Sequence, residues 1–394
     1  MAIRTEAEAL SKIAPEKIVD NRVYTDQRVF ELERERIFER VWMFACHESE
    51  IAEPGDFITT TIAGNPIIVN RDGNGRVRAF YNTCRHRGSL VVKDEEGHCA
   101  SFRCPYHFWT YSLEGELVGI PGEDAYDGSG FQKEEFPLIE LACESVLGLV
   151  FVNQREDPES LEDWLGDRLV QALSKPLANA QFEVFRRSAL PMAVNWKVFA
   201  ENARDGYHVP FVHPFFRKAS PPGEYHRLDN GHAIQYLGMG VEGIDPDDWA
   251  KLQLHPLPGV EIGEGYIVNV FPDLAITLRS NVVSIDWQRI DGPTSVALEN
   301  RTLGLVGDTD EIRELRNFSQ TIWFKNPVEL EDHPIFEGQQ VGVSSRGVQF
   351  SIIARGEDKE VGTRGDDSRL RYWWVKWRDL MGTARNSIEE LDEG

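Results

Sequence analysis

Two short stretches constrain this chain more than any other feature: Cys84-Arg85-His86 and Cys104-Pro105-Tyr106-His107. Each offers one thiolate and one imidazole, and seventeen residues separate His86 from Cys104. Whatever the fold is, it has to bring these two turns together around a metal. Such a donor set can close tetrahedrally on zinc, but zinc motifs usually pair Cys with Cys and His with His along the chain. A [2Fe–2S] cluster in which two imidazoles replace two thiolates on one iron needs this mixed pattern, each loop giving its Cys to one iron and its His to the other. Gly88 and Pro105 suit tight turns that hold backbone near the cluster sulfurs.

On these loops the sequence resembles the Rieske family. Rieske subunits of respiratory cytochrome complexes carry two further cysteines that bridge the loops. This chain has Ser89 and Tyr106 at those positions. The run Cys84-Arg85-His86-Arg87-Gly88 instead resembles the corresponding loop of Rieske non-haem iron oxygenases, and Phe271-Pro272-Asp273-Leu274 together with the aromatic run Tyr372–Trp377 resembles large subunits of ring-hydroxylating dioxygenases.

A chain of 394 residues can hold two domains and a large core, and 41% hydrophobic with 27% charged residues is ordinary for a soluble globular protein. Residues 1–10 lack the apolar core of a signal peptide, and no run of 18 apolar residues occurs. With Cys84 and Cys104 assigned to the cluster, Cys46, Cys99 and Cys143 remain, an odd number that argues against a secreted disulfide framework. The expected location is the cytoplasm. A net charge of −23 speaks against nucleic acid and anionic membrane surfaces as partners. Between Arg71 and Thr110, however, seven basic residues face only four acidic ones. That local excess is either a solvated loop region or a docking face for an acidic electron donor.

Along the chain, residues 24–42 predict an amphipathic helix with Phe30, Ile37, Phe38 and Val41 on its apolar face. From about Met43 to Asn153 short β-like runs alternate with Gly, Pro and Asn, and Asp72-Gly73-Asn74-Gly75 marks a hairpin. Both ligand loops lie in this stretch, so an all-β cluster domain is expected. Asp157–Leu173 predicts a helix, residues 266–304 antiparallel strands, and Asp310–Asn326 and Ser368–Met381 two further helices. The aromatic residues Tyr372, Trp373, Trp374 and Trp377 are expected to form a core face. Glu389–Gly394 is expected to be a mobile tail. The fold class is α+β: residues 1–42 and 156–394 form a catalytic domain with an antiparallel sheet flanked by helices, and 43–155 form the inserted cluster domain.

A cluster alone only moves electrons, so a catalytic partner is needed. Glu201-Asn202-Ala203-Arg204-Asp205-Gly206-Tyr207-His208-Val209-Pro210-Phe211-Val212-His213 supplies two imidazoles five residues apart. A helix from about Asn195 to Tyr207 would place His208 at its end and His213 on the next turn, both facing one ion. The pattern resembles the Asp-x-x-His-x-x-x-x-His iron motif of Rieske oxygenases. The third ligand of the 2-His-1-carboxylate triad must come from elsewhere. Glu331-Asp332, before a Gln-rich segment, resembles the family's Glu-Asp. Asp332 takes the ligand position, with Glu331 as the alternative ligand and helix capping as the plain role for Asp332.

The resemblance implies more. Asp205 would hydrogen-bond His208 and bridge, across a subunit boundary, to His107 of a neighbouring copy. Cluster and iron would meet in a ring of three subunits, a small beta subunit being optional. Electrons from NAD(P)H would arrive through a separate reductase, with or without a ferredoxin, because no flavin or dinucleotide fingerprint is present. With O₂ as co-substrate, the product would be a cis-dihydrodiol of an aromatic ring, an aromatic carboxylate being one candidate. The alternatives are monooxygenation or demethylation of a methylated amine or methoxyarene, and an electron carrier without oxygenase activity. Arg279 and Arg204 are the candidates for pairing with a substrate carboxylate.

Overall fold

A computed structural model of the chain describes residues 10–214, 223–238, 245–261, 264–363 and 365–387. The expected tail at Glu389–Gly394 lies outside them. The chain divides into two compact units: residues 38–164, and residues 1–37 together with 165–394. The fold is α+β, with an all-β unit inserted into the sequence of the other.

In unit 38–164 a seven-stranded sheet runs in the order Met43–His47, Leu149–Asn153, Glu140–Val146, Val77–Tyr81, Asn65–Arg71, Asp56–Ile62, Glu96–His98. A three-stranded sheet joins Phe102–Arg103, Thr110–Tyr111 and Leu117–Gly119. The strands read as alternating or fully apolar β-branched and aromatic runs, and Asp72 closes the expected hairpin by accepting from the N–H groups of Asn74 and Arg76. Between the sheets lies a core of Phe57, Ile68, Phe80, Phe102, Trp109 and Tyr111, into which Cys84 and Cys104 are built. One ligand loop follows Val77–Tyr81; the other caps the hairpin between Phe102–Arg103 and Thr110–Tyr111.

The other unit holds, among the described residues, an eight-stranded antiparallel sheet. Its order is Phe182–Met192, Ser295–Leu305, Val282–Gly292, Leu274–Arg279, Glu264–Val270, Ala233–Gly238, Glu224–Arg227, Val361–Thr363. Ser368–Met381 is a helix over the expected span, and Trp373, Trp374 and Trp377 are fully buried. The N-terminal helix is shorter than its periodicity suggests. Gln27–Glu33 is α-helical, capped by Asp26, and the next turn, Arg34–Phe38, widens to a π-helix. Asp157–Leu173 is likewise not one helix: Leu161–Leu165 and Asp167–Leu177 are separated by Gly166 at φ +76°.

Buried carboxylates tie these helices together. Glu33 accepts from Nζ of Lys197 at 2.6 Å and from the indole N–H groups of Trp196 and Trp377, both at 2.8 Å. Glu201 accepts from the Tyr24 hydroxyl and the Trp374 indole, both at 2.8 Å. Three sides thus hold the helix Trp196–Asn202, which Asn195 caps by accepting from the Lys197 N–H. Charged groups of this kind are buried only when paired and hydrogen-bonded, and here they fix the helix from which the iron motif emerges.

Candidate metal centres

The two cluster loops are built alike. In the first, Cys84 N–H donates to Ser89 O and Gly88 N–H to Cys84 O; in the second, Cys104 N–H donates to Trp109 O and Phe108 N–H to Cys104 O. Gly88 turns the first loop at φ +71°. Phe108 holds the matching position at φ +59°, uncommon for a side chain of its size. The rings of His86 and His107 lie 4.6 Å apart, centroid to centroid, and His86 stacks on Trp109 at 4.7 Å. Nδ1 of His86 is buried without a hydrogen-bond partner. Such an orphaned nitrogen costs about 1–3 kcal/mol and fits a ring whose lone pair goes to a metal. Burial, then His107 and Arg87, pull the His86 pKa below the ordinary histidine value, which favours the neutral form a metal requires. The Tyr111 hydroxyl accepts from Arg85 N–H at 3.0 Å and stands 3.4 Å from Sγ of Cys84, placed to donate to it.

In the other unit the helix Trp196–Asn202 stops before the histidines instead of running to Tyr207. Asp205 explains the stop. Its carboxylate accepts from the backbone N–H of Tyr207 at 2.7 Å, a local bond that competes with helix. The same carboxylate reaches Nδ1 of His208 at 2.9 Å, so the expected Asp205–His208 contact forms across a turn and not along a helical face. Val209–Val212 is one short helical turn that carries the chain to His213, whose Nδ1 lies 2.6 Å from Oε2 of Glu331. With both Nδ1 atoms bound to carboxylates, the Nε2 atoms face each other at 3.3 Å. Oδ1 of Asp332 stands 3.2 Å from Nε2 of His213 and 3.7 Å from Nε2 of His208. The three donor atoms lie within 4.8 Å of one another, a set that fits one Fe(II).

Asp332 comes from an unusual element. After the helix Asp310–Gln320 the chain continues as a π-helical segment, Thr321–Asp332, through Pro327, and then as the helix His333–Val343. The helix expected over Asp310–Asn326 does not end there: Pro327 lacks an N–H for an ordinary turn, and the wider turn carries the chain past it. Wide helical turns are frequent at functional sites. Asp332 stands at the start of the last helix but makes no capping bond, so the capping role is not what its side chain does. Glu331 contacts the far nitrogen of His213, so its carboxylate is engaged away from the facing Nε2 atoms. Burial disfavours the His213 imidazolium, yet Asp332 and Glu331 outweigh it and raise that pKa. For Asp205, His208 and the Tyr207 N–H outweigh the opposing burial and lower the pKa, so the carboxylate stays ionised.

A cavity of about 130 Å³ opens beside these three residues. Its floor is one face of the sheet: Gln235, Leu237, Ile267, Ala275, Thr277, Arg279 and Asp286. Its other walls include Phe199, Val209, Trp323, Phe324 and Val328. The Arg279 guanidinium lies 4.9 Å from the Trp323 ring centroid. Gly265, across the sheet, leaves it room: a Cβ there would stand 2.9 Å from its Cδ. Arg204, the other arginine candidate, is not on this wall. It is buried, donates to the carbonyls of Ala200 and Val270, and faces Trp373. The sequence reading missed Asp286, Trp323, Phe324 and Tyr111.

Comparison with known proteins agrees with this geometry. Residues 41–137 match the Rieske [2Fe-2S] domain, and 180–374 match the catalytic domain of the ring hydroxylating alpha subunit. The chain is 34% identical to the 2-aminobenzenesulfonate 2,3-dioxygenase subunit alpha of Alcaligenes sp., over 98% of this chain and 99% of that one. It is 42% identical to the anthranilate 1,2-dioxygenase large subunit of Acinetobacter baylyi, over 85% of this chain and 79% of the relative. Naphthalene 1,2-dioxygenase from Rhodococcus sp., solved with indole bound, superposes with a TM-score of 0.81 at 26% identity, covering 95% of this chain and 97% of that one. The chain belongs to the Rieske non-haem iron ring-hydroxylating oxygenases, as an alpha subunit. It is an oxidoreductase that uses a [2Fe–2S] cluster, mononuclear iron and O₂, with electrons from NAD(P)H through a separate reductase or ferredoxin. Among the described residues no helix is long and apolar enough to cross a membrane.

Proposed function

We propose that this chain cis-dihydroxylates a single aromatic ring bearing an acidic group. The observation that carries this is the cavity beside His208, His213 and Asp332: about 130 Å³, with Arg279 on its floor. A dry cavity of roughly 150 Å³ holds one benzene, so this space suits one ring. Arginine pairs carboxylate or sulfonate through a fork of two parallel N–H groups. Relatives that act on anthranilate and on 2-aminobenzenesulfonate support an acidic ring.

Cys84, His86, Cys104 and His107 would hold the cluster, and His208, His213 and Asp332 the iron. When bound, the cluster supplies single electrons and the iron supplies O₂ activation. The protein's own residues do the rest. Asp205 and Glu331 hold the Nδ1 protons of His208 and His213, which fixes each tautomer and leaves Nε2 as the donor. Phe199, Trp323 and Phe324 exclude water from the ring's face, and Arg279 orients the acid. Asp205 is also the residue through which His107 of a neighbouring copy would connect to His208, in a homotrimer with or without a small beta subunit. With Cys84 and Cys104 given to the cluster, the odd number of cysteines that remains suits a reducing cytoplasm. The test is turnover by the reconstituted enzyme, with reductase, against benzoates, benzenesulfonates, neutral arenes and methylated amines. Dihydrodiol formation from an aromatic acid supports the reading; turnover of methylated amines alone overturns it.

A further inference from the structure

Asp286 lies on the cavity floor. It pairs with Ala275 across the antiparallel strands Leu274–Arg279 and Val282–Gly292, so it shares the sheet face of Ala275, Thr277 and Arg279. Its oxygens are held by neutral donors. Nδ2 of Asn300 donates to Oδ1 at 2.7 Å, and Oγ of Ser284 donates to Oδ2 at 3.0 Å. Asn300 is fixed in turn, since Nδ2 also donates to Oγ of Ser284 at 2.7 Å and Oδ1 accepts from Thr302 at 3.1 Å. Each carboxylate oxygen can still accept another hydrogen bond. Burial pushes the carboxyl up to about 6 against these donors, which leaves it largely ionised at neutral pH.

A fixed carboxylate in a ligand cavity is costly until a ligand N–H satisfies it. Arg279 stands four strand positions from Ala275, roughly 13 Å of backbone at the usual rise. Both side chains therefore line the same cavity at separate positions along its floor. A ring carrying only an acid would be attracted at Arg279 and repelled at Asp286. A ring that also carries an amino group satisfies both.

We propose that the cavity selects an aminoaryl acid, a carboxylate or a sulfonate, with Arg279 taking the acid and Asp286 accepting a hydrogen bond from the amine. This rests on the reading of the cavity as a one-ring oxygenase site. The test is isothermal titration of the purified holoenzyme with benzoate, benzenesulfonate and the 2-, 3- and 4-amino derivatives of each. A hydrogen bond to a charged group is expected to tighten at least one amino derivative about tenfold or more over its amine-free parent. The preferred isomer reads the spacing, and the two series separate carboxylate from sulfonate. Asp286→Asn should bring that ratio towards one and tighten the parent acid, because it removes the repulsion. The proposal is overturned if wild-type protein binds every amino derivative no tighter than its parent, or if Asp286→Asn keeps the preference intact. If the parent acids are turned over while amines give no advantage, only this proposal falls; if no aromatic acid binds or reacts, the oxygenase reading of the cavity falls with it.

Discussion

Glu331 and Asp332 are adjacent carboxylates with opposite assignments, and exchanging them one at a time separates the roles. Glu331 reaches His213 from outside the donor set, Oε2 to Nδ1 at 2.6 Å, while Oδ1 of Asp332 stands among the Nε2 atoms. Glu331→Gln replaces a charge-assisted hydrogen bond with a neutral one. Losing such a bond is worth about 1.5–3 kcal/mol. At 1.4 kcal/mol per decade this weakens iron binding roughly 10–100-fold. The variant should therefore lose iron to a moderate chelator and recover it, with activity, in excess Fe(II). Asp332→Ala removes one of three donors and should hold no stoichiometric iron at any practical concentration. The assay is dialysis against graded chelator followed by metal analysis. Cluster absorption serves as the internal control, because the Cys/His loops belong to the other compact unit. Retention of iron by Asp332→Ala under conditions that strip Glu331→Gln would refute the assignment.

Asp205→Ala should leave a reducible cluster and a filled iron site but almost no product, and Asp205→Asn should be nearly as impaired; reoxidation of the cluster at the wild-type rate after rapid mixing with substrate and O₂ would remove Asp205 from the electron path. Tyr111→Phe deletes the hydroxyl beside Sγ of Cys84 and should lower the cluster potential in a redox titration, since hydrogen bonds to the sulfurs set that potential. Glu33→Ala strands the buried Lys197 and should cost at least about 3–5 kcal/mol in denaturant unfolding; adding Lys197→Met should recover the part due to the unpaired ammonium but not the part due to the Trp196 and Trp377 indole N–H groups, which still lack an acceptor. Burial pushes the Glu201 carboxyl up to about 7, while an unfolded glutamate titrates near about 4.3. The folded state therefore binds the extra proton between those values. The stability this contributes is complete below the unfolded value and is lost as pH rises through the folded one. Glu201→Gln should flatten the decline in Tm over that window.

The candidate cluster loops and the candidate iron histidines, which the structure brings together, were legible because metal chemistry demands particular donors at short spacing, and such patterns survive in one dimension. Asp286 was not. Ser284-Ile285-Asp286-Trp287 alternates as any half-exposed strand does, and the polar side of that alternation reads as solvent. Only the three-dimensional structure shows that this face floors a cavity. The end of the helix before His208 was overrun for a related reason. The burial pattern of Trp196, Phe199 and Ala200 continues smoothly to Ala203, and the signal against it is the single hydrogen bond from the Tyr207 N–H to Asp205. The π-helical segment was cut short at Pro327, since proline argues against an ordinary turn but says little about a wider one. The aromatic helix was correctly read as core for its tryptophans, since Trp373, Trp374 and Trp377 fall close together within little more than one turn, whereas Tyr372 is only half-buried.

The carboxylate of Glu33 joins residues at very different times in the life of the chain. Its partners Lys197 and Trp377 lie 164 and 344 residues further on. On a ribosome that emits about 5–20 residues per second, Glu33 waits well over ten seconds for its last hydrogen bond. During that interval all of residues 38–164, a compact unit whose strands pair with one another, has already been synthesised. The cluster-bearing unit is therefore the part of the nascent protein that can fold and take its metal early. The iron site closes only once the C-terminal helix has been released, so a protein cut short before Trp377 should emerge red-brown from its cluster and yet catalytically blank.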